Sequence, residues 1–260
     1  AMNYFEHIDR EKVQFDFLVE STSKIIDKNM IEAMGGHVII IPSYKNPIEY
    51  VHVLTKIFRE HKYDIVHSNM NTLSCFTLKA AKRGGIKIRI AHSHSTSNSK
   101  EFIRNLAKNI LKPFSKQYAT HYFACSEKAG RYLFGNKLFD EGKVTVINNG
   151  IDLEKFKFDS LCSESIRSEL GIGLDTKIIG HVGRFVRQKN HAYLLEVFKE
   201  ILKRRDNVKL LLLGDGPLFQ EIRNKAVEMG IESEVIFAGS KEDIYRYYSA
   251  MDLFLFPSLY

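Results

Sequence analysis

Short apolar, β-rich runs alternate with amphipathic helical stretches along the whole of this 260-residue chain, and that alternation constrains its fold more than any single motif. Strands are expected at 13–19, 37–41, 64–68, 86–91, 121–125 and 144–148, and after a break at 177–182, 208–213, 235–238 and 253–256. Helical patterns lie between them at 24–34, 47–62, 70–83, 100–117, 127–134, 192–205, 218–229 and 241–250. Strands that read as continuous apolar runs are buried on both faces, and strands separated by helices form parallel sheets covered on both sides. Right-handed crossovers then gather the loops that follow each strand at one edge, where α/β proteins bind their ligands.

The break at 152–175 is polar, carries Gly171 and Gly173, and shows only a short helical piece around 164–170. The domain boundary is therefore expected near residue 174, giving domains at 1–173 and 174–260. No apolar run approaches the ~18 residues that span a bilayer, and the start of the chain lacks the hydrophobic core of a secretion signal. Cys75, Cys125 and Cys162 have neither CxxC nor metal-ligand spacing and read as reduced thiols of a cytoplasmic protein.

The segment GHVGRFVRQKN, from Gly180 to Asn190, is the chemically most suggestive. A strand ends in Gly183, a turn brings Arg184, Arg187 and Lys189, and an amphipathic helix follows. Free backbone N–H groups and the positive end of a helix dipole favour an anion, and the cationic side chains add to that. A solvated basic turn is the plainer alternative. Further on, Leu210–Ile222 reads as a buried strand, a Gly-Asp-Gly-Pro turn and a helix. Gly214 and Gly216 allow either a plain tight turn or close approach of a ligand, while Phe219 stands where a dinucleotide fingerprint needs its third glycine.

In the first domain His92 and His94 lie at the end of one expected strand and His67 at the end of the one before. Alternate residues of a strand share a face, so His92 and His94 can point together. Packed structural rings, a ligand-binding histidine and a three-histidine metal site are all open readings, although the last lacks the carboxylate and spacing of a strong motif. Asn149, Gly150 and Asp152 follow another strand, and left-handed backbone in a sharp exit turn is expected there. Ser126 is placed to cap the next helix. No GxSxG motif, Cys/His nucleophile pair or P-loop occurs, which leaves acyl and phosphoryl transfer without machinery.

The formal charge of +7 is unevenly spread. Between residues 82 and 116 stand Lys82, Arg83, Lys87, Arg89, Lys100, Arg104, Lys108, Lys112 and Lys116, against Glu101 alone. The expected helix at 100–117 carries Phe102, Ile103, Leu106, Ile110 and Leu111 on one stripe and Arg104, Lys108 and Lys112 in a cationic row. It is either a core helix with a solvated basic face or a helix for an anionic membrane surface or acceptor. Nucleic acid is disfavoured, because exposed aromatics are not interleaved with the cations.

Taken in order, AHSH, ACSE, VINNGID, GRFVRQKN, LLGDGP, VIFAG and FLFPS resemble the retaining glycosyltransferases of family four, in particular those of bacterial exopolysaccharide and capsule synthesis. The resemblance runs from about residue 13 to the last residue. It implies the GT-B architecture, an α/β fold of two Rossmann-like domains whose parallel sheets face a cleft. The implied reaction moves a sugar from a nucleotide-sugar, a UDP-sugar above all, to a glycan or lipid-linked acceptor at the inner membrane face, with no cofactor and no metal. Gly183, Arg184 and Lys189 match the donor-diphosphate site. His94, with His92 as the alternative, matches the strand-end histidine near the donor sugar. Gly214, Gly216, Phe237 and Gly239 match the nucleotide's surroundings, and Asn149, Gly150 and Asp152 the hinge. The family's opening strand with its Gly-Gly turn and its later Glu-rich loop have no counterpart here, so the resemblance implies a piece of a longer enzyme. A fragment that binds nucleotide-sugar without turnover, a nucleotide-sugar epimerase and a metal-dependent hydrolase built on His67, His92 and His94 are the rival expectations.

Overall fold

The computed structural model describes residues 2–23, 28–94 and 102–259, the side chains of residues 3 and 102–108 excepted. The chain divides into two compact units, Ala1–Ile151 and Asp152–Tyr260.

In the first unit, helix α1 (Met2–His7) precedes strand β1 (Asp16–Glu20). Helix α2 (Lys28–Ala33) connects β1 to the parallel strand β2 (His37–Ile41). Helix α3 (Pro47–His61) shows how local chemistry sets an element. Asn46 accepts from the Glu49 amide at 3.4 Å and donates to the Glu49 carboxylate at 2.9 Å, and Pro47 occupies the first turn, where a missing N–H costs nothing. Lys62, left-handed at φ 52°, ends the helix. Tyr50, Leu54 and Phe58 recur on its buried stripe and pack with Leu78 and Ala81 of α4 (Ser74–Arg83).

A four-stranded parallel sheet follows: β3 (Ile65–Ser68), β4 (Ile88–Ser93), β5 (His121–Ala124) and β6 (Val144–Val146), in sequence order across the sheet. Helices α4, α5 (Phe102–Tyr118), α6 (Glu127–Phe134) and α7 (Asn136–Asp140) make the connections. Ser126 caps α6 as expected, accepting from the Ala129 amide at 3.3 Å.

The second unit runs α8 (Ser160–Glu169), β7 (Lys177–Val182), α9 (His191–Leu202), β8 (Val208–Leu213), α10 (Phe219–Glu228), β9 (Val235–Gly239), α11 (Ile244–Ala250) and β10 (Leu253–Phe254). Its strands are parallel in the order β10-β7-β8-β9. Leu210 and Leu212 face one apolar cluster with Leu194, Leu195 and Phe198, while Leu211 and Leu213 face the opposite one with Ile166 and Tyr247. Burial on both faces is the reason the strand is a continuous leucine run. Each such side chain contributes about 1.5–3 kcal/mol.

The unit boundary differs from the one expected near residue 174. The polar stretch read as linker contains α8, which packs on α11 as part of the second unit. Ile166 is fully buried there, and Arg167 donates to Thr176 O, Gly173 O and Asp252. A helix with only a few inward residues looks polar in sequence. Strand β10 is also shorter than expected, and α1 and α7, of six and five residues, are too short to show a helical period. Among the described residues no helix is long and apolar enough to cross a membrane.

Candidate functional site

Two clusters of chemically capable residues lie at strand carboxyl ends, one in each unit. In the second, the turn after β7 is held by the turn after β8. Gly183 N donates to Leu213 O at 2.9 Å, Phe185 N to Asp215 O at 3.0 Å, and Leu218 N to Phe185 O at 3.1 Å. Gly214 and Gly216 make this contact feasible. A Cβ on Gly214 would stand 2.1 Å from Gly183 O, and one on Gly216 2.6 Å from Phe185 O. The close approach that these glycines permit is, on the side where a Cβ would stand, that of the chain's own backbone. Gly214 N in turn donates to Gly239 O at 2.7 Å, which ties the turn after β9 into the same edge. Phe237 points into an aromatic cluster with Phe185 and Phe219.

This scaffold holds three cations next to the head of a helix. Asn190, left-handed at φ 55°, makes no side-chain cap for α9, so the first-turn N–H groups are left for another acceptor. Arg184 and Arg187 are exposed and Lys189 is half-buried. The unit's ion pairs include those of Arg167 and Lys177 with Asp252, Lys209 with Glu234 and Lys225 with Glu196, and among the described residues none involves Arg184, Arg187 or Lys189. The Lys189 ammonium rests 4.5 Å from the centre of the Phe256 ring.

Beneath the turn lie two histidines whose place the sequence reading missed. His181 is fully buried, and its Nδ1 donates to Leu255 O at 2.8 Å, leaving a lone pair on Nε2. That nitrogen lies 3.0 Å from where a Cβ of Gly183 would be. His191 stacks on Phe185 with ring centres 4.0 Å apart, and neither of its nitrogens has a partner. Burial first, then the charges of His181 and Lys189, push its pKa down to about 4. An uncharged pair of rings supports the cationic turn without adding repulsion.

In the first unit the three expected histidines do come together. His67 Nε2 and His92 Nδ1 share a hydrogen bond at 2.9 Å, and the His92 and His94 rings are 4.0 Å apart. The parallel register sets this: His67 lies beside Ile90, so the His92 ring at the end of β4 reaches back to it. Burial, followed by the neighbouring histidine charges, pushes His92 down to about 3. His67 keeps an exposed edge, yet packing of its ring and the charge of His94 push it down to about 4. His94 is also lowered, first by burial, while a side-chain hydrogen bond with Asn149 opposes the shift. All three rings are uncharged at neutral pH. Among the described residues no group of three His, Cys, Asp or Glu is disposed to hold a metal ion.

His94 has partners that the sequence reading overlooked. Its Nε2 bonds Asn69 Oδ1 at 2.8 Å, and its backbone N–H donates to Asn71 Oδ1 at 2.7 Å. Both asparagines sit in the loop after β3, and their closeness to the end of β4 follows from adjacent parallel strands, a signal the sequence does contain.

At the expected hinge, Asn149 and Gly150 are not left-handed; positive φ falls at Lys62, Asn71, Asn190 and at other glycines. The Ile147 amide donates to Ala124 O at 2.8 Å and Tyr4 of α1 donates to Asn148 O at 2.6 Å, which keeps the segment running on from β6. Asp152, in the second unit, accepts from the Glu154 and Lys155 amides at 3.0 and 3.2 Å. The expected cationic row on α5 is only partly seen, since the side chains of Arg104 and Lys108 lie outside the described residues. Lys112 differs from expectation: it lies 3.7 Å over the Tyr132 ring, half-buried. Ile110, expected in the buried stripe, is 61% exposed, and Phe114 one turn on is 45% exposed.

Two Rossmann-like units of parallel strands, one with a basic glycine turn at a helix head and one with a histidine-bearing edge, are the parts of a GT-B glycosyltransferase. In structure the chain is similar to the Anabaena protein HepE, crystallised in complex with UDP and glucose, with a TM-score of 0.75, 18% identity, and coverage of 94% of this chain and 74% of HepE. The model of Glycosyltransferase Family 4 matches residues 3–155, and that of Glycosyl transferases group 1 matches residues 163–260. The Bacillus subtilis protein EpsF is 34% identical over 268 residues, spanning 100% of this chain and 69% of EpsF. An Escherichia coli UDP-Gal:alpha-D-GlcNAc-diphosphoundecaprenol alpha-1,3-galactosyltransferase is 27% identical over 273 residues, with the same coverage. The chain belongs to glycosyltransferase family 4.

Proposed function

We propose that this glycosyltransferase moves a sugar from a UDP-sugar to a lipid-linked or glycan acceptor in surface-polysaccharide synthesis, with retention at the anomeric carbon. The observation that supports the reading is the turn after β7, which carries Arg184 and brings Gly183 and Lys189 together before the uncapped head of α9, with no ion pair to either cation among the described residues. In the transfer, the bond from the anomeric carbon to the diphosphate breaks and one to the acceptor oxygen forms. Negative charge grows on the departing diphosphate, which Arg184, Lys189 and the α9 amides stabilise, and that phosphate takes the acceptor's proton. The family resemblance assigns His94 to the donor sugar. The names of the E. coli relative and of HepE, with its bound UDP, support the choice of uridine. The exposed Ile110 and Phe114 on the cationic α5 support a place at the anionic inner face of a membrane.

Calorimetric titration with UDP, GDP and ADP tests the donor. Selective UDP binding, lost in Arg184→Ala, is expected. Equal affinity for the three, or UDP binding untouched by the substitution, refutes the assignment.

A further inference from the structure

His94 is the one member of the histidine string whose ring and backbone are both gripped by side chains of another loop. Asn69 Oδ1 can only accept, so the hydrogen bond at 2.8 Å makes His94 Nε2 the nitrogen that carries the proton and leaves the lone pair on Nδ1. Asn71 Oδ1 takes the His94 backbone N–H at 2.7 Å, at the point where β4 ends. To reach it, Asn71 adopts a left-handed backbone at φ 53°. A non-glycine residue in that region is uncommon, and asparagine tolerates it best. The titratable neighbours of the ring are His92 and His67, both held neutral by burial. The hydrogen-bonding groups facing it, Asn69 and Asn149, are uncharged amides.

We infer that Asn69 and Asn71 are positioning residues: Asn69 sets which nitrogen of His94 bears the proton, and Asn71 sets where the ring stands. This rests on the reading that places His94 beside the donor sugar. A neutral ring with Nδ1 as acceptor suits a sugar hydroxyl, which can donate to it. An imidazolium there would have no lone pair to accept that hydrogen bond.

The test is imidazole ¹⁵N NMR of the full chain, with His94→Gln used to identify the His94 signals. The wild-type ring should show the Nε2–H tautomer. Asn69→Asp places a carboxylate on that N–H, favours the imidazolium, and should raise the His94 pKa by about one unit or more. Asn69→Ala, at an exposed position that the fold tolerates, should let both tautomers appear. An Nδ1–H tautomer in the wild type, or an unchanged pKa in Asn69→Asp, overturns the inference. Asn71→Gly keeps the left-handed backbone and removes the amide; it should weaken UDP-glucose binding several-fold more than UDP binding. Titration of the wild type with UDP-glucose and UDP tests the underlying reading separately. If the tautomer and pKa behave as expected but UDP-glucose moves the His94 signals no more than UDP does, Asn69 holds the ring as inferred and the donor-sugar reading fails.

Discussion

Under the proposed function Arg184 and Lys189 hold the same diphosphate but start from different places, which sets an order between them. Each charge-assisted hydrogen bond to a diphosphate is worth about 1.5–3 kcal/mol. Arg184 is exposed and in no ion pair, so Arg184→Ala should lose that amount in full. At about 1.4 kcal/mol per factor of ten, UDP binding would weaken roughly tenfold to a little over a hundredfold. Lys189 already sits 4.5 Å over the Phe256 ring, a contact worth about 0.5–1 kcal/mol that must be surrendered when the ammonium turns to the phosphate. Lys189→Ala should therefore cost less, roughly threefold to fortyfold. The corollary is sharper. Phe256→Leu removes the competitor and should tighten UDP binding by about twofold to fivefold, and Lys189→Ala made in that background should lose correspondingly more. Calorimetry with UDP at two salt concentrations reads all four proteins, and both cationic contributions should shrink as salt rises. If Lys189→Ala costs more than Arg184→Ala, or Phe256→Leu weakens binding, the ring is not a competitor and the argument fails. If neither cation matters, the anion site is elsewhere.

Three further outcomes follow from the same structure. Gly214→Ala would drive a methyl to 2.1 Å from Gly183 O at a backbone with φ 132°, so it should lower stability by more than about 2 kcal/mol in urea denaturation and weaken UDP binding as the turn shifts; a neutral result would mean the turns do not touch. His191 and His92 have folded pKa values of about 4 and about 3, below the 6.5 of the unfolded chain. The unfolded state therefore binds protons first, and the stability present above pH 6.5 should drain away as pH falls toward 4. His191→Phe, which keeps the stacking on Phe185 and removes two unpartnered nitrogens, should flatten part of that fall without loss at pH 7, as urea midpoints at pH 7 and pH 5 would show. Ser126→Ala should remove the α6 cap and cost about 1 kcal/mol of stability, and no change in midpoint would deny the cap that role.

Local chemistry was legible before any coordinates. The apolar run Leu210–Leu213 announces a strand buried on both faces, and Ser126 announces the cap of the helix that follows it, because propensity and capping act within a few residues. The basic glycine turn at a helix head was legible for the same reason, since Gly183, Arg184, Lys189 and the helix start are neighbours in the chain. What only the tertiary structure decided depends on register between strands. Asn69 meets His94 across 25 positions, and Gly214 meets Gly183 across a turn-to-turn contact, because β3 lies beside β4 and β8 beside β7 in one particular alignment. His181 is placed by the residue that follows β10, Leu255, whose carbonyl fixes its tautomer from 74 residues away. Gly150 is free to be left-handed, yet Tyr4, from the opposite end of the unit, pins the adjoining backbone. Periodicity tells a residue which face it occupies; it carries no information on which residue of another strand stands opposite, and that pairing is what turned scattered histidines and asparagines into a site.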